Sequence, residues 1–257
     1  VAVLSAFRPV SMDALRRVID SSPNKSCSLD PLPTHLTKKA LDDLLPAIHA
    51  IVNRSLTEGI FPSCYKGAIV TPFLKKPSLD HLYNNYRPVS NISFISKTIE
   101  RVVASVIVDH METNGLMEAN QSAYRKGHRC ETALLRVTND ILRAMGEHKV
   151  VLLVLLDLSA AFDTVDHDRL LSILHRLGIQ GNAHKWLSSY LRERQQIVLA
   201  GSEKSTPGPL TYGVPQGSVL GPVLYNIYTV TLGHLIREHL PHFQMYADDT
   251  QLYLSAT

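Results

Sequence analysis

Residues 150–157 read Val150-Val151-Leu152-Leu153-Val154-Leu155-Leu156-Asp157: seven apolar side chains, β-branched at the start, ending on a carboxylate. The run is too short for a free-standing helix and predicts a strand buried on both faces. An unpaired charge at the end of such a strand is costly, so Asp157 calls for a hydrogen-bonded partner or a cation. Taken alone, Asp157 reads better as the N-cap of the turn that follows.

A second stretch changes that balance. Phe243-Gln244-Met245-Tyr246-Ala247-Asp248-Asp249-Thr250-Gln251-Leu252-Tyr253 has alternating residues on both sides of adjacent acids. That pattern predicts a tight hairpin with two carboxylates at its tip. Like charges so close repel and raise at least one pKa unless a cation neutralises them. A solvent-exposed Asp turn accounts for the pair equally well when it stands alone. Together, three acids at strand ends could hold two Mg²⁺ ions by oxygen ligands. Two such ions, roughly 3.5–4 Å apart, suit an in-line phosphoryl displacement.

Working outward, helical periodicity appears in five places. Leu36 to Val52 forms one stripe, which Pro46 should kink or split. Ile99 to Ile107 forms a second, stopped by Asn114-Gly115. Leu134, Leu135, Thr138, Ile141, Leu142 and Met145 form a third, ending at Gly146. Leu170 to Leu177 forms a fourth, closed by Gly178, and a fifth starts near Ser218. All five read as core faces. Gly67 to Leu74 reads as a strand cut by Pro72. Gln196 to Ala200 and the flanks of the Asp pair complete a small sheet. Helices and strands mix without strict alternation, which predicts an α+β arrangement.

Bulk properties bound the function loosely. The 257 residues are 45% hydrophobic and 19% charged, as in ordinary soluble domains. Formal charge is only +3, yet residues 61–130 carry nine Lys/Arg against five Asp/Glu, an excess that could face phosphates. A solvated surface face explains the count as well. Cys27, Cys64 and Cys130 lack CxxC spacing and are odd in number, so a disulfide framework is not expected. The twelve histidines form no zinc-type pattern. These features predict an intracellular protein of nucleus or cytoplasm, not secreted, with no membrane-spanning segment.

Five ordered blocks then carry a resemblance. Tyr246-Ala247-Asp248-Asp249 resembles the YxDD signature of reverse transcriptases, and Asp157 to Asp163 resembles their DxxxxFD block. Gly213-Val214-Pro215-Gln216-Gly217-Ser218-Val219-Leu220-Gly221-Pro222 resembles the motif between them. Asn85-Tyr86-Arg87-Pro88-Val89-Ser90 and Asn120-Gln121-Ser122-Ala123-Tyr124-Arg125-Lys126-Gly127 resemble fingers blocks of the non-LTR (LINE-type) retrotransposon enzymes. Asp30-Pro31-Leu32-Pro33 and Gly59-Ile60-Phe61-Pro62 are similar to the extension such elements carry ahead of their fingers. The resemblance implies a right-hand polymerase's fingers and palm, with a small antiparallel palm sheet packed on helices. Residues 1–57 would be a helical N-terminal extension and 58–257 the fingers and partial palm.

The resemblance also implies roles. Asp157, Asp248 and Asp249 would bind two Mg²⁺ ions, for which Mn²⁺ could substitute, with the Leu158 carbonyl a further ligand. Phe162 would be the gate excluding a 2′-hydroxyl; otherwise it is plain core. Gln216 and Gly217 would line the nucleotide pocket, ahead of a helix N-terminus whose free N–H groups favour phosphate; otherwise Gln216 is a turn residue. Arg87, with Lys75 or Lys76, would hold the triphosphate; otherwise Arg87 is a surface ion pair. Asp163 and Asp166 read as turn and cap residues. Expected partners are an RNA template, a DNA primer and deoxynucleoside triphosphates. With four residues after Tyr253, the rest of the palm and the thumb are expected to be absent, and no endonuclease domain is expected ahead of residue 1. The rival reading is a truncated remnant that binds nucleic acid weakly. An unrelated phosphotransfer enzyme would need a P-loop, and the sequence has none.

Overall fold

The computed structural model describes residues 2–256, in which eight helices pack against two separate sheets. The helices are α1 (Met12–Asp20), α2 (Thr34–Lys39), α3 (Leu41–Glu58), α4 (Phe94–Thr113), α5 (Cys130–Gly146), α6 (His167–Arg176), α7 (Gly181–Leu191) and α8 (Leu220–His239). The strands are β1 (Gly67–Leu74), β2 (Tyr86–Asn91), β3 (Val150–Leu156), β4 (Arg194–Ala200), β5 (Glu203–Lys204), β6 (Gly208–Leu210), β7 (His242–Tyr246) and β8 (Asp249–Ala256). The mixed α+β class is as expected. The single small sheet is not.

One sheet runs β2-β1-β4, with β5 and β6 both added at β4, and pairs β1 with β4 in parallel. The other is β3-β8-β7, antiparallel throughout. Pro72 does not cut β1. It pairs with Pro88 of β2, beyond Val70, where the β4 register ends. There β1 has an open edge, a position in which a missing N–H costs no ladder bond.

Three further expectations change. The first helical stripe breaks at Ala40, not at Pro46, which sits inside α3 on its solvent side. Water can satisfy the carbonyl that proline leaves free there. More consequential is β3, which is an edge strand and not doubly buried: Leu152 is 62% and Leu155 69% exposed. The α5 stripe faces solvent as well. Leu134, Leu135, Leu142 and Met145 are exposed, and Ala133 and Val137 are the residues that pack. Periodicity records that a face is apolar; it does not record what covers it.

The principal core lies among α1, α3, α4, α6, α7 and α8. Its aromatic centre is Trp186 of α7, edge-on to Phe7 and Phe61 and stacked on Tyr190. The indole N–H donates to Ser55 Oγ at 2.9 Å, so burial leaves it no orphaned donor. The core anchors α6 and α8, the two helices flanking the loops described next.

Candidate active site

The β7–β8 hairpin closes on the Tyr246–Asp249 pair, so Ala247 and Asp248 form a two-residue turn. Ala247 has φ 56°, in the left-handed region that costs an L residue about 1–2 kcal/mol. The β3–β8 register ends at Leu156 opposite Thr250. One further step sets Asp157 across from Asp249 at the same end of the sheet. Electrostatics agrees: burial, then the charges of Asp248 and Asp157, raise the Asp249 carboxyl above its ordinary pKa. Asp157 and Asp249 are exposed and Asp248 is half-buried.

Asp157 is therefore not a charge stranded in the interior, and the burial argument for it does not hold. It is not a helix cap either, since α6 starts at His167 under Asp166, whose Oδ1 accepts from the Arg169 N–H at 2.7 Å. Among the described residues, the carboxylates of Asp157, Asp248 and Asp249 accept no protein hydrogen bond. Nor do three or more His, Cys, Asp or Glu side chains there gather into a ready metal cage. The donor set is three unengaged carboxylates sharing one sheet end, hard oxygen ligands of the kind Mg²⁺ or Mn²⁺ takes. Leu158, adjacent to Asp157, is 41% exposed.

Phe162, five residues after Asp157, belongs to an aromatic group. It is partly buried against the core, stacks on Tyr225 at 4.7 Å, and meets Tyr124 edge-on at 6.2 Å. Burial and then the Asp248 charge raise both tyrosine hydroxyls' pKa values. The same charge reaching both phenols ties this group to the acidic turn.

The loop ahead of α8 is fastened on three sides. Its Val214 N–H donates to the Phe162 carbonyl at 2.9 Å, and Gly213 donates to Val165 at 2.8 Å. Gln216 Nε2 donates to Asp163 Oδ2 at 3.0 Å, while its carbonyl accepts from the Ser90 N–H at 2.7 Å. Gly217, at φ 109°, passes so close to β2 that a Cβ would sit 2.6 Å from the Ser90 carbonyl oxygen. The expectation of free N–H groups at the α8 start is corrected here. Glu100 Oε2 accepts from Val219 N–H at 2.7 Å and Leu220 N–H at 3.2 Å, and Ser218 Oγ accepts from Gly221 N–H. Burial raises the Glu100 carboxyl's pKa, against the pull of the Arg194 guanidinium and those amides.

Lys75, Lys76 and Arg87 stand apart. All three are exposed on the β1–β2 hairpin, Arg87 opposite Phe73 and the lysines just past the end of β1. Arg87 is three residues along β2 from Ser90, about 10 Å at strand rise. Among the described residues none of the three enters an ion pair, and none touches the acids.

Sequence reasoning missed three positions here. Asp163 is the partner of Gln216, not only a turn residue. Glu100 holds the α8 start, and its carboxylate amid the apolar residues of α4 was the available signal. Gln121, buried in a quoted block, grips the acidic turn; no local pattern shows that.

The family described as "Reverse transcriptase (RNA-dependent DNA polymerase)" matches residues 74–257. The chain is 31% identical to "Probable RNA-directed DNA polymerase from transposon BS" of Drosophila melanogaster, over 97% of this chain and 28% of that protein. It is 30% identical to "RNA-directed DNA polymerase from mobile element jockey" of the same species, over 94% of this chain and 27% of that protein. It is 32% identical to "Probable RNA-directed DNA polymerase from transposon X-element", over 88% and 25%. The chain thus spans about a quarter of the length of these relatives.

Proposed function

The chain belongs to the reverse transcriptase family, and from that premise we propose that it forms the fingers and partial palm of a non-LTR retrotransposon's RNA-directed DNA polymerase. The reading rests chiefly on one observation, the register that sets Asp157 across from Asp249 beside the Asp248 turn. In this reading Asp157, Asp248 and Asp249, with the Leu158 carbonyl, bind two Mg²⁺ ions. Bound cations would activate the primer 3′-hydroxyl and stabilise the leaving oxygen of the displacement. Phe162, braced by Tyr225, lies under the sugar of a deoxynucleoside triphosphate and bars a 2′-hydroxyl. Gln216 and Gly217 border the nucleotide, while Arg87 and one of Lys75 or Lys76 hold its phosphates. RNA template and DNA primer are the partners. No described helix is long and apolar enough to cross a membrane.

The test is Asp248→Asn in the longer parent protein, assayed for Mg²⁺-dependent primer extension on poly(rA). Loss of about a hundredfold or more is expected, as for removal of a preorganised electrostatic partner. Retained extension by the purified variant refutes the assignment. The exposed apolar face of β3 and α5 favours a second reading for residues 1–257 alone: weak nucleic-acid binding without catalysis. Extension by this chain alone, matched against the parent, decides between them.

A further inference from the structure

Residues 120–122 meet β7 through a single parallel bridge. Gln121 bridges to Met245 in parallel, the Ser122 N–H donates to the Met245 carbonyl at 3.0 Å, and the Met245 N–H donates to the Asn120 carbonyl at 2.8 Å. Gln244 Nε2 reaches across to the Asn120 carbonyl at 2.7 Å and to Ser122 Oγ at 2.9 Å. The segment is thereby fixed against the strand leading into the acidic turn.

Gln121 reaches the turn itself. Its side chain, 2% exposed, accepts at Oε1 from the Ala247 N–H at 3.0 Å and donates from Nε2 to the Ala247 carbonyl at 3.1 Å. The same Oε1 accepts from the Ala123 N–H at 2.9 Å, which orients the amide from behind. One side-chain amide thus engages both backbone polar groups of a single residue. That residue is the one held left-handed, without the freedom of glycine. Strained backbone of this kind persists only where its surroundings over-determine it.

We propose that Gln121 is the positioning residue of the acidic turn: its amide holds Ala247 left-handed and so fixes the direction of Asp248 and Asp249. The clamp stands on hydrogen-bond geometry; its consequence for metal binding rests on the reading of those acids as ligands. Gln121 touches no reacting atom. It couples a block 126 residues upstream to the turn, so the hairpin is not aimed by its own sequence alone.

The test uses residues 1–257 with two readouts. Hydrogen exchange followed by NMR reports the Ala247 amide, and Mn²⁺ titration by electron paramagnetic resonance reports the acids. In the wild type, a clamped and buried amide exchanges slowly; exchange at the rate of an open turn overturns the proposal without any variant. Gln121→Met keeps an unbranched side chain but removes all three hydrogen bonds. It is expected to free the Ala247 amide and to weaken Mn²⁺ binding by about five- to tenfold, the effect of losing one ordinary hydrogen bond. Ala247→Gly supplies the left-handed conformation at no steric cost, so Gln121→Met should weaken Mn²⁺ binding less in that background. A general loss of packing predicts equal effects in both backgrounds. Unchanged exchange and unchanged Mn²⁺ affinity in Gln121→Met overturn the clamp. Slow, Gln121-dependent exchange in a chain that takes up no Mn²⁺ upholds the clamp and sinks the metal reading.

Discussion

Phe162 and Glu100 show how far one side chain's surroundings decide its role. Phe162 is neither plain core nor a free blade; it is half-buried and stacked on Tyr225. Under the proposed function, Phe162→Val should let primer extension admit ribonucleotides far more readily, since only the 2′-hydroxyl separates the two substrates. Lost stacking should also lower stability by about 0.5–1.5 kcal/mol beyond the lost area. Single-nucleotide incorporation checks the first effect, and equal discrimination by variant and parent would assign Phe162 to packing. Glu100 is fully buried and its pKa is raised in the folded chain, first by desolvation. A raised carboxyl pKa means the folded state binds the proton more tightly than the unfolded chain does. The stabilising contribution is therefore complete below the ordinary carboxyl value of 4.5 and is lost as pH rises through the folded value. Wild type should gain in Tm on Glu100→Gln as pH falls from 7 towards 4.5. Parallel Tm-versus-pH curves would show that Glu100 titrates alike in both states.

Elements are aimed by contacts far away in sequence, and Gly217 is where this is most sensitive. Its φ of 109° and its approach to the Ser90 carbonyl join the loop before α8 to β2. Gly217→Ala should cost about 1–3 kcal/mol from backbone strain alone. Gly146→Ala, where a Cβ meets open space, is the matched control. Denaturant unfolding of both variants measures the difference, and equal midpoints would remove Gly217 from any fastening role. The same logic explains what could be read from sequence. The α4 and α6 faces and the Asn114 and Asp166 caps follow from local periodicity and capping chemistry and are observed, as is the hairpin, although its turn is Ala247-Asp248 and Asp249 opens β8. The separation into two sheets does not, because β1 pairs with β4 across more than a hundred residues. Likewise Glu100 at Val219 and Gln121 at Ala247 are pairings of side chain with distant backbone. No window of sequence contains both partners.

At the scale of the whole molecule, the principal core and the β3 edge behave differently. Around Trp186, Phe7, Phe61 and Tyr190 are covered, whereas β3 offers Val150, Leu152, Leu153, Val154, Leu155 and Leu156 to solvent. On α5, Leu134, Leu135, Leu142 and Met145 add to this exposed surface. Soluble monomers rarely expose a contiguous apolar patch beyond about a few hundred Å². The free edge compounds the problem: among the described residues β3 pairs only with β8, and it presents an unpaired ladder with no charge or proline along its seven residues. A net charge of only +3 supplies little repulsion between copies. Residues 1–257 are therefore expected to self-associate at micromolar concentration, more strongly at high salt as charge repulsion is screened. Leu152→Lys on the edge strand combined with Leu142→Lys on α5 should restore a monomer without loss of Tm, since both side chains are more than half exposed. Sedimentation across a salt series checks this. A wild-type chain that stays monomeric throughout would show that the β3–α5 face is tolerated by water as it stands.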